Sequence, residues 1–142
     1  MFKVIIAGGR DFTDQTLCNK ICDKVLSKHL PENIEVVCGK AKGADTCGEI
    51  WAKSRGIRVK EMPADWHNLD ATPCRVKDNG YGSYNALAGT ARNHAMGDYS
   101  DALLAIWDES SKGTKNMIDY SIKLGLKVLI FDYEGEEILW LK

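Results

Sequence analysis

The side chains best able to do chemistry in this chain are gathered in short turns behind apolar runs. The stretch "WDESSKGTKNMID", Trp107 to Asp119, follows the run "DALLAI" and opens a helical pattern. Ser110, Ser111 and Thr114 offer hydroxyls there, and Gly113 permits close approach of a ligand to the main chain. The start of the helix adds amides without intrahelical acceptors, a setting that favours an anion. It is not a P-loop, because GxxxxGK[ST] is absent and no magnesium carboxylate follows a strand. An ordinary serine N-cap is the plain alternative.

Two further turns share this character. Gly8, Gly9 and Arg10 open "GGRDF", in which Asp11 and Phe12 complete the turn. Arg10 is suited to clamp a phosphate or carboxylate, against the plain reading of a tight turn with a solvated arginine. In "GKAKGAD", Gly39 ends a strand and Gly43 begins a helix, so the amides from Lys42 through Ala44 to Asp45 are candidates for an anion. Asp45 itself either caps that helix or accepts a ligand hydroxyl, and the sequence leaves both open.

The elements that must hold these turns alternate. "KVIIAGG" and "IEVVCG" are continuous apolar runs, as strands buried on both faces of a parallel sheet read. Between them Thr13 or Asp14 caps a helix carried by Leu17, Ile21, Val25 and Leu30, ended by Pro31 and Asn33. A helix through Ile50 to Ala52 ends at Gly56, and "IRVKEM" is a third strand. A helix near "TARNHAMGDY", the strand "ALLAIW", the helix "GTKNMIDYSIKLG" and the strand "KVLIFD" follow. Strand and helix in alternation imply right-handed parallel crossovers. The expectation is an α/β Rossmann-like three-layer sandwich, strand order 3-2-1-4-5, with "EEILWLK" available as an extra C-terminal edge strand or an arm packing Trp140. Ligands in such sheets bind beyond the strand C-termini where the order reverses, and all three turns lie at those ends.

The whole chain bounds the rest. At 142 residues it reads as a single domain, with an irregular inserted loop at about 66–88. The apolar fraction of 44% and charged fraction of 27% suit a globular protein, and a net charge of −1 disfavours a nucleic-acid partner. No apolar run reaches membrane-spanning length and "MFKVIIAGG" is too short for a signal peptide, so a cytoplasmic protein with no membrane partner is expected. Five cysteines at irregular spacing read as buried small hydrophobes in a reducing compartment, and no cluster has metal-ligand spacing. No metal and no cofactor are expected.

Taken in order and spacing, "IIAGGRDF", "CGKAKGADTCGEIWAKSRGI", "MPADW", "ARNHAM" and "DALLAIWDESSKGTKNMIDYSIKLGLKV" resemble the YspA-like (DUF2493) branch of the SLOG superfamily. That superfamily also holds the LOG phosphoribohydrolases and the Rossmann domain of DNA-processing protein A. The resemblance runs over roughly residues 3–131 and lapses at 68–88. It implies a pocket for a nucleotide or nucleotide-derived molecule, lined by Gly8, Arg10, Gly39, Gly43, Asp45, Arg92, Asn93, Gly113 and Thr114. It also implies a sensing or sequestering role in conflicts between bacteria and phages, in a bacterial cell or phage-infected host, and pairing into homo-oligomers of two or more copies. LOG enzymes carry a glutamate in the turn "PGGxGTxxE" that acts in N-glycosidic cleavage. Aligned on "GT", this chain has Met117 there, and a thioether cannot transfer a proton. Binding is therefore ranked ahead of hydrolysis. Asp45, Asp108 and Glu109 remain candidates to replace the glutamate in an enzyme, and a DNA-processing accessory role ranks last.

Other residues carry paired readings. Trp107 could stack on a base or belong to the core; Trp66 is read as core. Tyr81 and Tyr84, in the insertion, are either stacking groups of a closing loop or loop decoration. His94, beside Arg92 and Asn93, is an acid–base candidate against a commoner packing role, and His67 a lid candidate.

Overall fold

A computed structural model describes residues 1–138. The apolar runs form the strands β1 (Phe2–Gly8), β2 (Ile34–Cys38), β3 (Arg58–Glu61), β6 (Ala102–Ile106) and β7 (Lys127–Phe131). They lie parallel in the order β3-β2-β1-β6-β7, and β8 (Glu137–Ile138) adds an antiparallel edge beside β7. This is the expected 3-2-1-4-5 sheet with its extra edge strand; Trp140 lies outside the described residues. The order reverses between β1 and β6, where Gly8 sits opposite Ile106.

Four helices cover the sheet, two on each face. α1 (Gln15–Val25) packs beside α2 (Ala44–Ser54), and α3 (Ala88–Tyr99) beside α4 (Lys112–Leu124). Because strand side chains alternate, β1 feeds both layers. Val4 and Ile6 join Cys18, Ile21 and Trp51 under α1 and α2, while Ile5 and Ala7 join Met96, Met117 and Ile118 under α3 and α4. No helix among the described residues is long and apolar enough to cross a membrane.

Helix ends follow local chemistry. The Asp14 carboxylate accepts the Leu17 amide at the start of α1, and Ser111 Oγ accepts the Thr114 amide at the start of α4. Gly125, at φ 79°, ends α4 in the left-handed conformation. α1 is shorter than its periodicity suggests: Leu26 caps it, Leu30 is exposed, and Pro31–Asn33 form a separate 3-10 turn. Beyond that end, His29 stacks on Phe2, ring centroids 4.3 Å apart.

The insertion contains order that its composition hides. β4 (Val76–Asp78) and β5 (Ser83–Asn85) form an antiparallel hairpin whose strands are too short and polar to show periodicity. Asn85 is its hub. Its buried carboxamide accepts from the Arg75 and Leu87 amides and donates to the Pro73 carbonyl, and its own amide donates to the Trp66 carbonyl at 2.6 Å. Tyr84 meets Trp66 edge-on, whereas Tyr81 at the tip is fully exposed.

Gly48 shows how tightly α2 lies on the sheet, since a Cβ there would sit 2.5 Å from Ile6 Cγ2. Helix propensity alone favours alanine at this position by up to about 1 kcal/mol. Overpacking against a buried β1 residue costs more, so Gly48→Ala is expected to destabilise the fold by about 1–2 kcal/mol in urea denaturation. A stabilised variant would show that α2 can lift from the sheet freely.

Candidate functional site

At the switch between β1 and β6 the three turns enclose a crevice of about 470 Å³. Backbone packing sets its shape. The Gly9 amide donates to the Ile106 carbonyl at 3.1 Å, and the Ala44 amide donates to the Gly9 carbonyl at 3.2 Å. A Cβ on Gly43 would lie 2.1 Å from that carbonyl, so the φ of +84° and the lack of a side chain are both required there.

Most expected residues come together. Gly8, Gly9, Arg10 and Asp11 form one wall, and Asp108, Ser110, Ser111, Gly113 and Thr114 the facing one. Asp45, Arg92 and Asn93 close the end between α2 and α3. Other expected residues fall elsewhere. Phe12 is buried and meets Tyr133 edge-on at 5.2 Å, and with Lys42 and Gly43 it borders a separate groove beside α1. Ala44 is packed in the core, and Gly39 lies behind the Arg92 guanidinium rather than on the crevice wall. Trp107 is also core, its indole N–H donating to the Ser111 carbonyl at 3.0 Å, so it shapes the turn and does not face the crevice. Glu109 projects outward from a residue at φ 67° and does not line the space.

The crevice charges are largely committed to neutral hydrogen-bond partners. Arg92 donates through Nη1 to the Gly39 carbonyl and through Nε to Asn93 Oδ1. Asn93 Nδ2 in turn donates to the Gly113 carbonyl at 3.3 Å and to Asn116 Oδ1 at 3.0 Å. The Asp108 carboxylate accepts from the Ser110 and Ser111 amides, both at 2.9 Å, and those donors hold its pKa below the usual carboxylate range. It is thus poorly suited to donate a proton. The Tyr133 hydroxyl donates to Asp11, and burial followed by that bond raises the phenol's pKa. Arg10 stands exposed at the mouth.

Asp45 behaves differently. It neither serves as the N-cap of α2 nor lies open to solvent; its Oδ2 accepts the Ala41 amide at 3.4 Å. Burial pushes its pKa up to about 6, although Arg92, the Ala41 and Gly39 amides and Arg10 pull the other way. Histidines play no comparable part: His94 stacks on Tyr120 at 3.9 Å, between α3 and α4.

Ala7, Ala41, Met96 and Met117 complete the lining; Ala41 lies within "GKAKGAD" and Met117 at the position aligned with the LOG glutamate, whereas no turn motif in the sequence marks Ala7 or Met96 as a site residue. The two methionines follow Asn93 and Thr114 at i,i+3, so helical spacing carried the signal. Tyr133 reaches Asp11 from the turn between β7 and β8, a proximity that no local pattern encodes.

Fold and site together define a Rossmann-like α/β protein with a crevice at the topological switch. Within that class, the model of the YspA, cpYpsA-related SLOG family matches residues 2–68, bearing out the resemblance read from the sequence. Over 122 residues the chain is 29% identical to the uncharacterized SPbeta prophage-derived protein YoqJ of Bacillus subtilis (strain 168), covering 83% of this chain and 68% of that one. Among solved structures, DNA processing protein A of Streptococcus pneumoniae superposes with a TM-score of 0.66 at 20% identity over 92% of this chain. This chain spans 50% of that protein's length. The protein TM1055 superposes with a TM-score of 0.60 at 19% identity, covering 90% of this chain and 72% of that one. At these identities the structural likeness is one of fold.

The buried Asp45 has a measurable consequence. Its carboxyl ionises near 3.8 when unfolded and near 6 when folded, so the folded state binds the extra proton between those values. Its contribution to stability therefore falls as pH rises from about 4 to 6 and stays reduced above. Asp45→Asn is expected to match the parent at pH 4 and to exceed it by about 1–3 kcal/mol at pH 7.5. Paired urea titrations at the two pH values check this, and a difference that does not grow with pH would refute the burial account.

Proposed function

We propose that the crevice binds a phosphate-bearing, nucleotide-derived small molecule without turning it over. Molecules of the ADP-ribose, NAD-like or cyclic nucleotide kind suit it, and the protein acts as a sensor or by sequestering the signal. The observation that carries this reading is Gly113. Side chains on Gly8, Gly9 or Gly43 would collide with the protein itself, whereas a Cβ on Gly113 meets nothing within 4 Å. Its φ lies outside the left-handed region, and glycine in a helix costs about 1 kcal/mol relative to alanine. The fold gains nothing from a bare backbone at this point; a ligand approaching the first turn of α4 does. The Lys112 and Gly113 amides have no intrahelical acceptors there, Thr114 adds a hydroxyl, and Arg10 faces them across the crevice.

The absence of turnover follows from the floor. Met96 and Met117 lie beneath the site, and neither can transfer a proton. Asp108 is held ionised by two amides. Asp45 offers an acceptor for a ribose hydroxyl instead. Self-association and action in the cytoplasm of a bacterial or phage-infected cell accompany this reading; light scattering and fractionation test them. A DNA-processing role receives no support from a net charge of −1.

One observation favours a second reading, an N-glycosidase. A carboxyl with its pKa near 6 inside a crevice is suited to general acid–base work at neutral pH. If the protein is such an enzyme, Asp45→Asn abolishes turnover.

The deciding experiment incubates the protein with mononucleotides, NAD, ADP-ribose and cyclic derivatives, then follows free and heat-released pools by mass spectrometry. A species depleted from solution and recovered intact supports binding, one recovered as base and sugar phosphate supports the glycosidase, and no depletion of any species refutes both. For the species that binds, Gly113→Ala is expected to leave or slightly raise thermal stability while weakening affinity about ten- to hundredfold, through loss of charge-assisted backbone contacts. Unchanged affinity would remove the phosphate from the start of α4.

A further inference from the structure

We propose that the 66–88 insertion is a brace, which fixes α3 so that Arg92 and Asn93 hold two crevice turns in register, with Asn93 and Trp66 as its positioning residues. The proposal rests on reading the crevice as the ligand site. No residue of the insertion lines that space, and Tyr81, the aromatic best placed to move, points into solvent at the hairpin tip. The inward contacts of the insertion go instead to the first turn of α3. A Cβ on Gly89 would lie 2.8 Å from the Trp66 ring, so the indole sits directly on the bare helix backbone. Asn85 Oδ1 accepts the amide of Leu87, the N-cap residue of α3, at 3.0 Å. The N-cap residue's own side chain makes no capping bond. Apolar and polar residues are spread around α3 rather than gathered on opposite faces, so the helix has little amphipathic drive to fix its own rotation.

One turn further on, α3 presents the two residues that join the walls. Arg92 reaches the Gly39 carbonyl in the turn after β2, and Asn93 reaches the Gly113 carbonyl and Asn116 in the first turns of α4. Asn93 is buried, with its oxygen accepting from Arg92 and its nitrogen donating twice. Its amide group is therefore fully oriented, and a small rotation of α3 would break both links together. The Gly113 carbonyl and the Thr114 amide belong to one planar peptide unit, so the same link sets the direction of the first turn of α4.

Amide hydrogen exchange of the ligand-free full chain tests the brace without knowledge of the ligand. Trp66→Ala is expected to speed exchange about tenfold in peptides covering 39–45 and 110–117, while β1 and α1 exchange as before. Trp66→Phe, which keeps a ring on Gly89, is expected to restore most of that protection. Asn93→Asp keeps the acceptor for Arg92 but loses both donated bonds, so it should loosen 110–117 and spare 39–45. Should Trp66→Ala fold poorly, Gly89→Ala displaces the indole from the opposite side while favouring the helix. Faster exchange confined to 64–88 overturns the proposal, and so does equal acceleration in every segment, which would mark Trp66 as a contributor to global stability alone. Calorimetric titration of mononucleotides, NAD, ADP-ribose and cyclic derivatives into the parent protein judges the binding reading separately: no binding of any of them refutes that reading and leaves the exchange result standing.

Discussion

Backbone packed on backbone at the switch point is the constraint from which the rest of this structure follows. Gly9 donates to Ile106 and accepts from Ala44, tying the turns after β1, β6 and β2 through a single residue. A Cβ on Gly8 would lie 2.0 Å from the Ile106 carbonyl oxygen, so no side chain separates these strands' ends. A parallel sheet opens a crevice where its order reverses, but the width of that crevice depends on how closely the turns approach. Here glycine brings them into contact, which leaves a narrow space with main-chain groups on its walls. Main-chain amides are fixed dipoles and need little reorganisation to meet an anion.

Charge is distributed in keeping with that geometry. The carboxylate of Asp108 takes the Ser110 and Ser111 amides, much as an anionic ligand would, and so stabilises the turn in the absence of one. The next amides along the helix, those of Lys112 and Gly113, have no intrahelical acceptors. Asp45 is the opposite case: its burial works against the fold at neutral pH, with Arg92 and two loop amides offsetting part of the cost. An aspartate held under such conditions serves local order or ligand recognition better than stability. Arg92 is desolvated too, which lowers its pKa despite the neighbouring Asp45. Two partly compensated buried charges at one end of the crevice form a polar pair whose geometry is tightly specified.

Much of this was legible in the sequence because its signals are local. Apolar runs ending in glycine identified the strands, and strand–helix alternation identified the sheet order, since right-handed crossovers leave few alternatives. The crevice walls followed from the rule that ligands meet strand C-termini, so Arg10, Asp45, Ser110 and Gly113 were found from their positions alone. The direction in which a turn residue points is not local. Phe12 and Trp107 belong to turns that face the site, yet each side chain enters the core, because large apolar surfaces are buried whenever backbone direction permits. Tyr133 and Met96 escaped for the converse reason, since tertiary packing carries them to the site. The hairpin within the insertion depends on the hydrogen bonds of one buried asparagine, Asn85, and a polar residue in a polar segment gives no periodic signal.

The contrast between Gly113 and Met117 bears on why such a crevice would bind rather than react. They lie four residues apart on α4, hence on the same helical face, one open to the crevice and the other buried under it. A carboxylate at the position of Met117 would face the apolar layer formed by Ile5, Ala7 and Met96 as well as the ligand. Its burial there would raise its pKa, which is useful to a general acid but costly to the fold. Methionine fills the same volume without that cost and gives a ligand a polarisable surface. The layer beneath the crevice is therefore continuous with the core, and the stability lost at Asp45 is not lost a second time at α4. Under the binding reading proposed above, holding the ligand needs no second buried charge.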